Sequence, residues 1–129
     1  MDYSSHILVV EDESNLAEFM QEVLVKAGYI VTLAATVQEA MVHLRRSSIH
    51  ILITDMHLPD GNGLDLLSQV LPTHRPLQGL LMTGRATLES VLDAAKLGVC
   101  DFITKPFNRE TLLRVVQTAV AARSAICET

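Results

Sequence analysis

Apolar and polar positions alternate along this chain with two different periods. Five short runs rich in β-branched and other aliphatic residues, 6–10, 30–34, 49–54, 78–82 and 100–104, are apolar at most positions, the pattern of strands covered on both faces. Between them, apolar residues recur every three or four positions, as on one face of a helix. Leu16, Phe19, Met20, Val23, Leu24 and Ala27 form one such face, with Ser14 as the predicted N-cap and Gly28 as the stop. Leu88, Val91, Leu92 and Ala95 form another, ended by Gly98. Segments 36–46, 63–71 and 108–122 supply three more helices, and the leucine and valine stripes are expected to be core.

Five strands alternating with five helices predict an α/β fold, because parallel strands need crossover connections and each crossover is right-handed. The architecture is a doubly wound five-stranded parallel sheet with helices on both faces. In the common strand order 2-1-3-4-5, ligands bind beyond the carboxyl ends of the strands, between the first and third. The chain reads as a single domain over 1–129, with its core at about 6–122 and an unanchored tail at 123–129.

Composition narrows the class. Apolar residues make up 49% and charged residues 19%, which favours a folded domain over a disordered one. No apolar run is long enough for a membrane helix, and residues 1–6 lack the pattern of a secretory signal, so a cytoplasmic location is expected. The net charge of −5 is modest and the basic residues are scattered, so no direct nucleic-acid contact is expected. Cys100 and Cys127 have no ligand-like spacing and read as plain thiols. The five histidines show no paired metal spacing and read as surface or packing residues.

The strand ends carry the chemistry. Glu11 and Asp12 follow the first apolar run, Asp55 the third, Thr83 the fourth and Lys105 the fifth, so in a parallel sheet all five meet at one edge. Clustered carboxylates repel one another and are best held by a hard divalent cation such as Mg²⁺. The ammonium and the hydroxyl then read as donors to a small oxyanion, most simply a phosphoryl group. Each residue alone has a plainer reading: an acid capping a turn, N-terminal helix charge, a solvated lysine, a capping threonine.

With these residues in place, roughly 6–122 resembles the receiver domain of two-component response regulators, a family with a flavodoxin-like fold. The resemblance rests on Glu11-Asp12, Asp55, the loop Leu58-Pro59-Asp60-Gly61-Asn62-Gly63, Thr83-Gly84 and Lys105-Pro106-Phe107, in that order at successive strand ends. It implies that Asp55 accepts a phosphoryl group from a phosphohistidine on a sensor histidine kinase or phosphotransfer protein, the domain catalysing its own phosphorylation and dephosphorylation. It further implies that Mg²⁺ is ligated by Asp12, Asp55 and the backbone carbonyl of His57, with Glu11 acting through water. Lys105 pairs first with Asp55 and then with the phosphoryl group, and the bond before Pro106 is cis. Thr83 and Phe102 occupy the switch positions. Partners, an effector domain or a separate target, use the face of the fourth helix, fifth strand and fifth helix; a phosphorylation-linked homodimer is also implied.

The chain departs from the commonest family pattern at a few positions. Glu11 stands where many members have aspartate, and Phe102 where tyrosine is frequent, so Phe102 also reads as ordinary core. His57 and Arg85 sit two residues beyond Asp55 and Thr83, flanking the expected path of the hydrolytic water. A pseudo-receiver, an interaction module without the chemistry, is the alternative; retention of all five site residues argues against it. A flavin domain on the same fold is disfavoured by Glu11-Asp12-Glu13, which repels an unaccompanied phosphate, and a haloacid-type phosphohydrolase by His57 where a second aspartate is needed.

Overall fold

In the computed structural model, residues 5–127 are described; residues 1–4 and the side chain of Cys127, for which expectations were given above, lie outside the described set. The five long strands are β1 (His6–Val10), β2 (Ile30–Ala34), β3 (Ile51–Asp55), β6 (Gln78–Thr83) and β7 (Asp101–Thr104). They form one parallel sheet in the order β2-β1-β3-β6-β7, which is the expected 2-1-3-4-5 when only these five are counted. A two-residue antiparallel pair, β4 (His57–Leu58) and β5 (Gly61–Asn62), follows β3. The helices are α1 (Ser14–Lys26), α2 (Val37–Arg46), α3 (Gly63–Val70), α4 (Leu88–Leu97) and α5 (Arg109–Cys127).

Side chains of successive strand residues point to opposite faces, and the sheet accordingly separates two cores. Ile7 and Val9, Ile51 and Ile53, Leu80 and Met82, and Ile103 pack against Met20, Leu24 and Val116 from α1 and α5. Leu8 and Val10, Leu52 and Leu81 pack against Ala40, Leu44, Leu66, Leu67 and Ala94 from α2, α3 and α4. The inner strands β1, β3 and β6 are buried on both faces, whereas the edge strands β2 and β7 are largely half-exposed, as their position in the order requires. No helix among the described residues is long and apolar enough to cross a membrane.

Four expectations need correction. The N-cap of α1 is Glu13, not Ser14: its carboxylate accepts from the backbone N–H groups of Asn15 and Leu16, and the longer acidic side chain satisfies two of the helix's free donors. Phe19, assigned to the inner face of α1, is 39% exposed. The apolar stripe of α4 faces outward, with Leu88, Val91 and Leu92 at 76%, 37% and 51% exposure; Ala95 is exposed too. The residue that α4 buries is Ala94, whose small side chain lets the helix lie close to the sheet. Finally, α5 runs through to Cys127 without the break expected near residue 122, because Ala119, Ala121, Ala122 and Ala125 favour helix and no Gly or Pro interrupts them.

Candidate functional site

Sheet register decides which strand-end residues meet. Val10 is level with Thr54, Asp55 with Met82, and Thr83 with Thr104. The ladder continues one step further: Glu11 N–H donates to Ala34 O at 2.9 Å and Lys105 N–H to Thr83 O at 2.8 Å. Carried along the alternation, Glu11 follows Ile7 and Val9, Asp55 follows Ile51 and Ile53, and Lys105 follows Ile103, all on the α1/α5 face. Thr83 and Phe102 have the opposite parity, that of Leu81 on the α2/α3/α4 face. One face of the edge therefore holds two acids and the ammonium, and the other holds the hydroxyl and the ring.

Asp55 and Glu11 are buried, at 8% and 3% exposure, and Lys105 lies between them. Lys105 Nζ stands 2.6 Å from Glu11 Oε1 and 3.1 Å from Asp55 Oδ2. Glu11 is thus the closer partner of the lysine, where the resemblance pointed to Asp55. Burial disfavours the Lys105 charge, but the hydrogen bonds and negative charges of Glu11 and Asp55 outweigh it and raise the lysine above its ordinary value of 10.5. The second Glu11 oxygen accepts from Glu13 N–H at 3.0 Å, so both oxygens of Glu11 have protein donors.

Asp12 is exposed at the start of the turn after β1. One carboxylate oxygen each from Glu11, Asp12 and Asp55 lie within 4.8 Å of one another. At such a separation and an effective dielectric near 20, an unscreened carboxylate pair repels by about 3 kcal/mol. Lys105 offsets part of this, and a hard divalent cation with oxygen ligands fits the remainder. The donor set passes that test on its chemistry.

The loop after β3 is fixed by backbone contacts. Gly63 N–H donates to Met56 O at 2.7 Å, and a Cβ on Gly63 would fall 2.1 Å from Asp55 O. Only glycine permits that approach. His57 is exposed and pairs with Asn62 across the hairpin, and Asn62 caps α3 by accepting from Leu64 N–H. Gly61-Asn62-Gly63 therefore forms the return of the hairpin and the start of α3. Asp60 was not singled out by sequence reasoning, yet its two carboxylate oxygens accept from Val37 and Gln38 N–H at 2.8 and 3.0 Å. These bonds hold its pKa down and tie the loop beside Asp55 to the start of α2. A lone aspartate before a glycine signals a turn, and nothing in sequence spacing reveals its partner 23 residues away.

Thr83 is buried, and its hydroxyl is engaged with its own loop, donating to Arg85 O and accepting from Arg85 N–H, both at 3.1 Å. Arg85 itself is exposed. Phe102 is half-buried against the α2/α3/α4-side core, level with Leu81. The Lys105–Pro106 bond is cis, as is Arg75–Pro76.

Comparison with known proteins agrees with this fold. The family model of the response regulator receiver domain matches residues 7–117. The response regulator protein PilR of Pseudomonas aeruginosa is 33% identical over 94% of this chain and 27% of its own length. The transcriptional regulatory protein FixJ of Bradyrhizobium diazoefficiens is 29% identical over 93% of this chain and 58% of its own. The chain thus spans between about a quarter and three-fifths of these curated relatives. Among solved structures, the non-phosphorylated HemR receiver domain of Leptospira biflexa superposes with a TM-score of 0.86 at 32% identity, covering 92% of this chain and 95% of that one. A CheY-like receiver domain protein of Methanospirillum hungatei gives 0.90 at 25% identity, covering 95% and 98%. With the family model matching residues 7–117 and the sheet order shared with these solved receiver domains, the chain belongs to the response-regulator receiver-domain family.

Proposed function

We propose that this domain is a phosphoryl-accepting switch in which Asp55 is the acceptor and a phosphohistidine of a sensor kinase or phosphotransfer protein is the donor. The observation that carries the reading is the buried Asp55 carboxylate held beside Lys105 Nζ, with Glu11 and Asp12 in the same cluster. An Asp55 oxygen attacks phosphorus, the P–N bond to the imidazole breaks, and the imidazole leaves with its electron pair and takes up a proton. Asp12, Asp55 and the His57 carbonyl would hold Mg²⁺, which would supply neutralisation of the charge on the transferring group. Glu11, whose oxygens already accept from Lys105 and Glu13, would act on the ion through water. Lys105 keeps its proton, moves its attraction from the carboxylate to the phosphoryl oxygens, and stabilises the acyl phosphate.

Transmission starts at Thr83. Its hydroxyl gives up the Arg85 carbonyl and donates to a phosphoryl oxygen, drawing the loop toward Asp55. Phe102, on the same face of the sheet as Thr83, then repacks, and the change reaches the surface of α4, β7 and α5. The exposed Leu88, Val91 and Leu92 make that surface suited to an effector domain, a target protein or a second copy of the chain. Incubation with acetyl phosphate and Mg²⁺ tests the reading: intact mass rises by one phosphoryl group in the parent and not in Asp55→Asn. Equal labelling of the two proteins, or none in the parent, refutes it.

A further inference from the structure

The opposite pole of the sheet carries a cavity that the phosphoryl chemistry does not use. It lies below the amino ends of β3 and β6, is open to solvent with a volume of about 330 Å³, and is lined in part by Ser47, His50, His74, Arg75 and Arg123. No carboxylate is among its lining residues. Among the described residues, two arginines therefore line a common space with no acidic residue in its lining, in a chain whose net charge is −5. Arg45 and Arg46 end α2 immediately before Ser47 and add to the positive charge of this pole.

The His50 ring at the cavity is held in place. His6 N–H donates to His50 Nδ1 at 2.9 Å while His50 N–H donates to His6 O at 2.9 Å. With Nδ1 accepting, the neutral ring must carry its proton on Nε2, so His50 presents an N–H donor. Burial first, then the charges of Arg123 and His6, push His50 toward that neutral form. Arg123 Nε is buried and has no hydrogen-bond partner among the described residues. A buried guanidinium N–H is costly to leave unpaired. Arginine donors match tetrahedral oxyanions in geometry as well as charge.

We infer that this cavity is a binding site for a small tetrahedral dianion of the phosphate class, held by Arg75 and Arg123 with His50 as a neutral donor. The site is independent of Asp55, since it stands at the other end of the strands. It couples an ambient anion to the packing of α5 against the amino ends of β3 and β6, because Arg123 belongs to α5 while His50 and Leu77 lead into those strands.

The test is an NMR titration of the full chain with inorganic phosphate at fixed pH and matched ionic strength, following the His50 and His74 rings and the Arg123 Nε–H. Saturable shifts are expected with phosphate, and none with sodium chloride or acetate. Arg75→Gln and Arg123→Gln should each weaken the phosphate affinity by about tenfold or more. Arg75 is exposed, so its variant reports even if Arg123→Gln fails to fold. Acetyl phosphate labelling of Asp55 should be unchanged in Arg75→Gln. Linear shifts shared with chloride, equal saturation by acetate, or undiminished phosphate affinity in Arg75→Gln would overturn the inference.

Discussion

Lys105 Nζ lies 2.6 Å from Glu11 Oε1, nearer than the 3.1 Å that separates it from Asp55 Oδ2. The lysine is shared between two buried acids on adjacent strands, and its positive charge stands against both carboxylates. Its removal should leave Glu11 and Asp55 uncompensated. Lys105→Met is expected to lose about 2 kcal/mol of stability in the absence of divalent ions, less than for a fully buried pair because the lysine is partly solvated. Mg²⁺ should restore more stability to the variant than to the parent. Urea unfolding in EDTA and in Mg²⁺ measures both; a variant as stable as the parent in EDTA contradicts the shared role. In the parent, the raised lysine value means this stabilisation is complete below the ordinary value of 10.5 and is lost as pH climbs through the higher folded value.

Gly63→Ala should damage the site through the backbone. The added Cβ would stand 3.1 Å from Thr54 Oγ1 and 2.1 Å from Asp55 O, a backbone atom that cannot swing aside without moving the end of β3. A loss of about 3 kcal/mol is expected, with Asp55 phosphorylation slowed in whatever folds. Wild-type stability in the variant would show that the loop yields freely.

His6 and His50 make the fold sensitive to mild acid. Both are pushed below the ordinary histidine value of 6.5 by burial first, His50 then by Arg123 and His6, and His6 then by His43. The folded state thus binds fewer protons than the unfolded one in this range, so the stabilisation is whole above 6.5 and is lost as pH falls through the lower folded values. Unfolding free energies measured from about pH 7.5 to about pH 5 should decline in the parent and decline less in His50→Asn, whose side-chain carbonyl can still accept from His6 N–H. Equal slopes would exonerate the ring.

The α4 stripe should be silent in stability. Leu92→Lys is expected to change the unfolding free energy by no more than about 0.5 kcal/mol, whereas Leu81→Ala, at a fully buried position, should cost about 3 kcal/mol. A large loss in Leu92→Lys would return that leucine to the core.

The sequence by itself determined the strands, their parallel pairing and the strand-end acids, because a strand buried on both faces must be apolar along its length and its end must meet polar chemistry abruptly. Asp55 at the end of Ile51–Thr54 and Lys105 after Ile103–Thr104 were legible for that reason. The face that each residue occupies follows from register, and register is a property of the assembled sheet: only there do Glu11, Asp55 and Lys105 share one face while Thr83 turns its hydroxyl to Arg85 on the other. The same limit governs α4. Periodicity marks an apolar stripe but not the side from which the sheet will approach, and the close fit of Ala94 turned Leu88 and Leu92 to solvent. Contacts between distant segments were likewise decided by packing alone. The Asp60 carboxylate on the start of α2 and the gathering of Arg75, Arg123 and His50 at one pole depend on where chain segments far apart in sequence come to rest, and local patterns carry no record of that.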